Sequence, residues 1–324
     1  MNFNTNLKNI LFIGINYHGY TDAIADELKA KFGCNLNYVD IQPRAFLWNL
    51  LKIVFPKLFR LYLNCYHKNH FSNAGSIQYD CVFFLQAHQV EDSNLEFLKV
   101  TQPKAVFILY NWDSLSNHNY LSKRKFFDRI LMFDPCDAKE HNFEYLPLFC
   151  TRELQAYKKN QSKDVFMIGN IVNLKRVDAV REFKRFCVSE GISFNTHLRI
   201  SPLILMRLIR QKYTLVNLSM RNASRRRVKS LYEQSSVAFD WANHEQSGLT
   251  MRATEALGTG KKLITNCSYL RDSKYSQRGQ VLIINESFDF SEVKNFVNQS
   301  PLSYDPDEYF YIQSFISTLM DVSK

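Results

Sequence analysis

The sequence lacks closely paired cysteines. Its seven cysteines are scattered along 324 residues, and no two of them form a C-x-x-C pair. Disulfide frameworks and structural zinc sites both need paired cysteines at regular spacing, so this pattern argues against both. We therefore expect a reducing environment and no metal site built on cysteine.

Long hydrophobic runs are missing as well. No stretch reaches the roughly 20 apolar residues that a membrane-spanning helix needs. The opening MNFNTNLKNI carries no apolar signal-peptide segment. With 46% hydrophobic residues the chain can still bury large cores, and its length suits two domains. The sequence therefore predicts a cytoplasmic two-domain protein that would at most rest on the inner face of the cytoplasmic membrane.

Acidic residues are absent between Asp40 and Asp80 and between Glu190 and Glu233, and the formal net charge is +10. Such an excess suggests nucleic acid, an anionic membrane surface or a phosphorylated substrate as a partner, although lysine-rich surfaces also simply keep proteins soluble. The basic residues are not regularly interleaved with aromatic ones, and no compact DNA- or RNA-reading pattern is present. We therefore expect no nucleic-acid partner.

The first half alternates apolar segments with a helical one. Residues 9–15, 36–41, 79–86 and 105–110 predict buried strands, and residues 21–32 predict a helix capped by Thr21. This order predicts a doubly wound α/β domain with the loop after the first strand at the ligand-facing edge. His18 in that loop is a candidate to contact a phosphate of one substrate or a second substrate, although a solvated loop histidine explains it equally well.

A dinucleotide fingerprint is missing from the same loop. Gly14 and Gly19 give G-x-x-x-x-G instead of G-x-G-x-x-G. An NAD-dependent enzyme that modifies nucleotide sugars would use this loop together with Asp40, so the spacing argues against that alternative.

Asp113 follows the predicted strand at 105–110. A carboxylate just past the end of a central parallel strand points into the crevice where open α/β sheets bind ligands, but it could also cap the next helix. Asp134 and Asp137 suggest a metal pair, yet a turn at a strand end explains them more simply. We expect no metal ion at this position.

Residues 44–71 mix bulky apolar side chains with five cations, and Pro56 should kink any helix there. Such a segment can lie on an anionic bilayer with its cations at the headgroups. It can also form helices that pack on the sheet with basic outer faces. Both interpretations stay open from the sequence.

The second half predicts another α/β unit, which opens with a strand at 164–169, a loop at 170–176 and a helix at 177–190. Residues 194–200 predict a further strand and residues 202–210 a basic amphipathic helix. We assign residues 1–152 to the first domain, 153–163 to a linker, 164–303 to the second domain and 304–324 to a C-terminal helix.

The D-x-D at residues 305–307 could hold a nucleotide through a metal ion. Asp305, Pro306 and Glu308 also fit a helix start with its capping pair, and we favour that interpretation.

The stretch from residue 240 to 266, DWANHEQSGLTMRATEALGTGKKLITN, organises this half. It predicts a strand end, a loop at residues 246–248, a helix to about residue 257 and a new strand from residue 262. Free N–H groups at such a helix start bind anions, and Glu255 further along is an acceptor suited to ribose hydroxyls. The alternative is an ordinary crossover in which Glu255 pairs with Arg252.

The segment QSGLTMRATEALG resembles the donor-binding segment of GT-B glycosyltransferases, and more narrowly that of bacterial lipopolysaccharide- and capsule-biosynthesis transferases. YNWDS at 110–114 and YLPLF at 145–149 resemble the same enzymes in the first half. The resemblance implies two Rossmann-like doubly wound domains facing a cleft, with the C-terminal helix crossing back to the first domain.

The GT-B pattern also places a Gly, a following Arg and a later Lys after the first strand of the second domain, where the two cations grip the diphosphate. Gly169 and Lys175 match this spacing, but Asn170 stands at the Arg position. Arg176 is a candidate substitute.

The resemblance implies transfer of a sugar from a nucleotide-sugar donor to a lipid-linked bacterial surface glycan, such as lipopolysaccharide or capsule, without a metal or other cofactor. Ser247, Gly248 and Thr250 would lie near phosphate, with Lys175 and Arg252 as charge partners. Fixed cations would stabilise the leaving diphosphate.

Asp113, with His18 in reserve, would accept the acceptor proton in an inverting reaction. The E-x7-E of retaining families is missing, because Ser247 stands eight residues before Glu255. The stereochemistry therefore stays open. A non-enzymatic basic protein that binds membrane or RNA is the alternative from another class.

Overall fold

A computed structural model describes residues 7–17, 19–43, 54–157, 162, 164–210, 218–242 and 246–321. The candidate His18 and the first part of the basic segment, residues 44–53, lie outside these ranges. The chain divides into two compact units, Met1–Leu146 with Ile312–Lys324, and Pro147–Tyr311.

The first unit is built on a six-stranded parallel sheet. Its strands are β1 Asn9–Gly14, β2 Asn35–Asp40, β3 Cys81–Leu85, β4 Val106–Asn111, β5 Arg129–Met132 and β6 Glu144–Tyr145. They lie in the order β2-β1-β3-β4-β5-β6. Strand β3 is buried along its whole length, because helices cover both faces of a parallel sheet and leave no solvent-facing side.

The second unit repeats this architecture. Its strands are β7 Val165–Ile171, β8 Phe194–Ile200, β9 Leu218–Ser219, β10 Val237–Asp240, β11 Lys262–Thr265 and β12 Val281–Ile283. They lie in the order β12-β11-β10-β7-β8-β9 and are again all parallel. The apolar core of this unit forms two clusters, one containing Phe183 and Phe239 and the other Leu257 and Leu263.

The helices of the described residues alternate with the strands in both units. In chain order they are α1 Tyr20–Phe32, α2 Pro56–Ala74, α3 Asp92–Thr101, α4 Pro135–His141, α5 Arg152–Gln155, α6 Leu174–Ser189, α7 Pro202–Arg210, α8 Arg225–Gln234, α9 Met251–Gly258, α10 Lys274–Gln277, α11 Val293–Asn298 and α12 Ile312–Leu319. Short 3₁₀ helices lie at Leu121–Phe126, Ser268–Leu270 and Glu308–Phe310.

Two predicted helix features differ from the structure. Helix α1 is preceded by Gly19 at φ +80°, a left-handed turn that glycine adopts without strain, while Thr21 lies inside the helix and donates to Ile15 O. Pro56 does not kink a helix but begins one, because the first helical position needs no N–H donor.

The C-terminal helix belongs to the first unit, as the fold resemblance implied. Phe315 of α12 packs edge-to-face on Tyr110, with ring centroids 4.9 Å apart. The buried Arg129 guanidinium donates to the carbonyls of Thr318 and Leu319, each at 2.9 Å. The end of this helix is therefore fixed to the sheet at β5.

The start of the C-terminal helix differs from the prediction. Tyr304 N donates to Gly260 O at 2.8 Å, and Asp307 N donates to Leu257 O at 3.2 Å, so these bonds hold the segment in a non-helical conformation. Asp307, and not Asp305, caps the 3₁₀ turn that follows. Helix α12 begins only after this turn.

No helix within the described ranges has the length and apolarity needed to cross a membrane.

Candidate active site

The carboxyl edge of the second sheet brings Arg176 against Gly169. Helix α6 begins at Leu174 after the N-cap Asn173, so Arg176 lies in its first turn and not in the preceding loop as predicted. A Cβ atom added to Gly169 would lie 3.2 Å from Arg176 Nη2. The absence of a side chain at Gly169 therefore leaves the space that the guanidinium occupies.

Arg176 forms an ion pair with Asp240, the last residue of β10, with Nη2 and Oδ1 3.5 Å apart. Strand β10 lies directly beside β7, which is why residues so far apart in sequence meet. Asp240 is 1% exposed, and burial raises the pKa of its carboxyl while Arg176 and Thr250 act in the opposite direction. The edge thus contains a buried carboxylate held beside a cation.

Thr250 connects this ion pair to helix α9. Its hydroxyl donates to Asp240 Oδ2 at 2.7 Å and accepts from Ala253 N at 3.1 Å, which makes Thr250 the N-cap of the helix. The side chain at the start of α9 is therefore oriented by the same carboxylate that holds Arg176.

Glu255 lies further along α9 and is completely buried. Its Oε2 accepts from Tyr232 Oη at 2.6 Å and forms an ion pair with the partly exposed Arg252 guanidinium. The pair with Arg252 is the contact expected of an ordinary crossover, whereas the contact of Glu255 with a ribose stays a prediction.

The loop before α9 contains two more of the predicted donor residues. Ser247 O accepts from Cys267 Sγ at 3.6 Å, and the buried Gly248 accepts from Gln246 Nε2 at 3.5 Å. Both residues therefore lie on the stretch of backbone that leads into Thr250.

Lys175 and Arg176 are adjacent cations with different surroundings. Lys175 is largely exposed, and its Nζ lies 4.0 Å from Glu286 Oε2 on the loop after β12. Arg176 is mostly buried beside Asp240. Of the two, Arg176 is therefore the cation that the fold directs toward β7 and β10.

The carboxyl edge of the first sheet positions Asp113, which follows β4. Its Oδ2 accepts from Gln86 Nε2 at 2.6 Å and lies 3.7 Å from His118 Nε2. Burial raises the pKa of the Asp113 carboxyl, while His118 and the Gln86 hydrogen bond act in the opposite direction. The His118 ring stacks face to face on His88, with centroids 3.9 Å apart and planes 4° apart.

Gln86 directly follows β3 and has a backbone φ of +68°. Residues other than glycine seldom adopt this conformation, and such strain is concentrated at functional sites. Gln86 N donates to Tyr110 O at 3.0 Å, which holds the residue beside the end of β4. The backbone of Gln86 is therefore fixed to the sheet, and its side-chain amide in turn holds the Asp113 carboxyl.

Asp134 and Asp137 have structural partners. Asp134 is the N-cap of α4 and accepts from Cys136 N and Asp137 N, and Asp137 accepts from Leu115 N at 2.8 Å. Within the described part of the chain, no group of three or more His, Cys, Asp or Glu residues is arranged to hold a metal ion.

The partners of these residues were not predicted from the sequence. They are Gln86, His88 and His118 around Asp113, and the residues that contact Asp240. One signal was available, because Gln86, His88 and Asp240 all lie at or just past strand ends, the positions that face ligands in open α/β sheets. The pairing of His118 with Asp113 depends on the path of a loop and left no such signal.

No family model and no curated protein matches the sequence. Among solved structures, the chain is similar to the lipopolysaccharide outer core galactosyltransferase WaaB at 16% identity, with 97% of this chain and 96% of that chain covered and a TM-score of 0.51.

Two further structures match over a similar extent. UDP-GlcNAc 2-epimerase from Methanocaldococcus jannaschii matches at 8% identity, 98% and 99% coverage and a TM-score of 0.56. The catalytic domain of starch synthase IV from Arabidopsis thaliana, bound to ADP and acarbose, matches at 8% identity, 98% and 96% coverage and a TM-score of 0.56. Near-complete coverage and two six-stranded parallel sheets show that the chain has the GT-B fold, which confirms the fold inferred from sequence resemblance.

Proposed function

We propose that the chain is a glycosyltransferase that moves a sugar from a nucleotide-sugar donor to a lipid-linked bacterial surface glycan. The observation that carries the proposal is the pair of arginines at the carboxyl edge of the second sheet, each held by a buried carboxylate. Arg176 is held by Asp240 and Arg252 by Glu255. Fixed cations of this kind stabilise the charge that develops on a leaving diphosphate.

The donor would bind along the loop and helix that carry this cluster. Gly169 lets the Arg176 guanidinium lie against the backbone, where a diphosphate could approach it. Lys175 would add a more mobile cation. Backbone groups near phosphate would come from Ser247, Gly248 and Thr250.

Glu255 would have two roles in donor binding. Its carboxylate would hold Arg252 in place, and donor binding would have to open a path to this buried group before it could also contact the ribose. Because Arg252 covers the buried carboxylate, the donor would meet this arginine first. A metal ion has no part in the reaction as proposed, because cations of the chain supply the charge.

The acceptor side of the proposal rests on the start of α2. Three apolar side chains there are more than half exposed, namely Phe55, Leu58 and Leu61. Lys57 and Arg60 lie among them, in a part of the sequence that contains no acidic residue. An apolar helix start flanked by cations has the chemistry of a surface that lies on an anionic bilayer. The proposal therefore places the protein peripherally on the membrane, where a lipid-linked acceptor is within reach.

The donor proposal is tested by thermal denaturation with UDP, GDP, ADP, CDP and dTDP, each added separately. A nucleotide at about a hundred times its dissociation constant should stabilise the wild type by about 2.7 kcal/mol. We expect one nucleotide to raise the melting temperature, and Arg176→Met to abolish the increase.

Arg185→Met is the matched control, because Arg185 lies on the same helix, is largely exposed and pairs with Glu182 on the surface. It should respond like the wild type. A folded wild type that no nucleotide stabilises would refute the donor site. Conversion of a nucleotide sugar to its epimer, without transfer, would reassign the site to epimerisation.

The membrane proposal is tested by sedimentation with vesicles of phosphatidylglycerol or of phosphatidylcholine alone. We expect the wild type to bind the anionic vesicles and Leu61→Glu to bind them less. Val100→Glu is the control, because Val100 is an exposed apolar residue elsewhere in the first unit. Equal binding by all three proteins would contradict the role of α2.

A further inference from the structure

Asp113 is surrounded by groups that change its chemical role. The sequence suggests Asp113 as the group that takes a proton. In the structure, however, its Oδ2 already accepts a 2.6 Å hydrogen bond from Gln86 and faces His118 Nε2 at 3.7 Å. A carboxylate held in this way is suited to orienting an imidazole and stabilising its positive charge.

We infer that His118 is the catalytic base of the first unit, and that Asp113 is the residue that positions it. The inference rests on the proposed function and specifies which group receives the proton of the acceptor. Nε2 of His118 faces Asp113. The other ring nitrogen of His118, Nδ1, is therefore the atom that would accept the proton.

The stacked rings of His118 and His88 are too close for both to carry a positive charge favourably. His88 stacks on its ring at 3.9 Å, and two imidazolium ions at that distance would repel each other. Asp113 lies beside the pair, whereas Asp137 is directed to the backbone of Leu115. An imidazolium formed on His118 would therefore have an opposite charge on one side and a stacked ring on the other.

The proposed reaction is a single displacement at the anomeric carbon of the donor sugar. The acceptor hydroxyl oxygen forms a bond to the anomeric carbon, and the bond from that carbon to the donor phosphate breaks with its electron pair leaving on the nucleoside diphosphate. The hydroxyl proton passes to His118, which later releases it to water. A single displacement inverts the anomeric centre, so a base at His118 implies an inverting enzyme.

The experiment uses the nucleotide sugar whose nucleoside diphosphate stabilises the wild type, with water as the acceptor. We expect His118→Gly to lower kcat by roughly 10²- to 10⁴-fold, the range for loss of a general base, with the nucleotide-induced thermal shift unchanged. Added imidazole should restore part of the rate. Asp113→Asn should lower kcat less than His118→Gly does, because the base itself remains, and imidazole should not restore the rate.

The matched control is His141→Gly, because His141 also lies beside a carboxylate in the first unit, 3.8 Å from Glu140. It should keep the wild-type rate with and without imidazole. Proton NMR of the first sugar released should show the inverted anomer.

Three results would overturn the inference. They are wild-type turnover by His118→Gly, a retained anomer, or a loss in Asp113→Asn larger than that in His118→Gly, which would return the base to Asp113. None of these results would contradict the proposed donor site if the nucleotide still raises the melting temperature of the protein. A missing nucleotide shift in the wild type would instead refute the donor site, and this inference with it.

Discussion

At the carboxyl edge of the second sheet, two arginines form ion pairs with buried carboxylates. At the carboxyl edge of the first sheet, the titratable side chains of Asp113 and His118 are partly exposed to solvent. Asp240 and Glu255 are 1% and 0% exposed. Asp113 and His118 each keep 37% of the side chain exposed. The two sheets share an architecture, so this difference comes from the residues that lie at the strand ends.

Under the proposed function, the two edges would have different chemical roles. Fixed, neutralised charges hold a constant geometry, which is useful for gripping an anion. Exposed titratable groups can take up and release protons, which is useful for activating a hydroxyl. We therefore expect substitutions at the two edges to differ in their effects on stability and proton binding.

The largest expected effect is at Glu255. Glu255→Ala leaves Arg252 and the Tyr232 hydroxyl without this buried partner, and breaking a buried ion pair costs about 3–5 kcal/mol of folding free energy. Asp113→Ala at the other edge should cost about 1 kcal/mol, because its surroundings are partly exposed. Calorimetric unfolding of both variants measures the difference, and equal losses would contradict the distinction.

Arg176→Met should cost about 2 kcal/mol, since it leaves the buried Asp240 carboxylate without its cation. The double variant Arg176→Met with Asp240→Asn should recover part of this loss, because no uncompensated charge remains. Urea denaturation of the two single variants and the double variant gives the coupling free energy. Strict additivity would show that the two side chains do not interact.

The free energy of unfolding should depend on pH partly through the titration of Asp240. Its pKa is raised in the folded state, so its contribution is fully present below the ordinary Asp pKa and is lost as pH rises through the raised value. Asp240→Asn should flatten this fall, because the titrating carboxyl is removed. Melting temperatures measured across the acidic range test it, and an unchanged slope in the variant would exclude Asp240 as the source.

The smallest effect is expected at Lys175. Its side chain is largely exposed and its partner Glu286 is 4.0 Å away, so Lys175→Met should change stability by less than about 0.5 kcal/mol. Comparison with Arg176→Met in the same urea-denaturation series tests whether the two adjacent cations differ as their burial indicates.

Local patterns in the sequence were sufficient for most strands and for the fold. Strand Phe194–Ile200 and helix Pro202–Arg210 have the bounds that were predicted, because each segment carries its own local signal of apolar residues and flanking breakers. The GT-B fold followed chiefly from one motif, since QSGLTMRATEALG marks a loop that leads into a helix.

Contacts that depend on strand order could not be predicted from the sequence. Arg176 contacts Asp240 only because β7 and β10 are adjacent strands of the sheet. No local sequence pattern predicts which strands are adjacent. The late start of α12 has a similar cause, because bonds to Gly260 and Leu257 keep residues 304–307 out of a helix. Propensity is a weak guide wherever distant backbone groups compete for the same hydrogen bonds.

The composition of the first unit from two separate parts of the sequence has a consequence for synthesis on the ribosome. The Arg129 guanidinium meets the carbonyls of Thr318 and Leu319 only after the whole second unit has been made. Domains generally fold in the order in which they emerge. Here the unit that is translated first is complete only when its last helix has been made, so the unit translated second is the first whose residues are all available to fold.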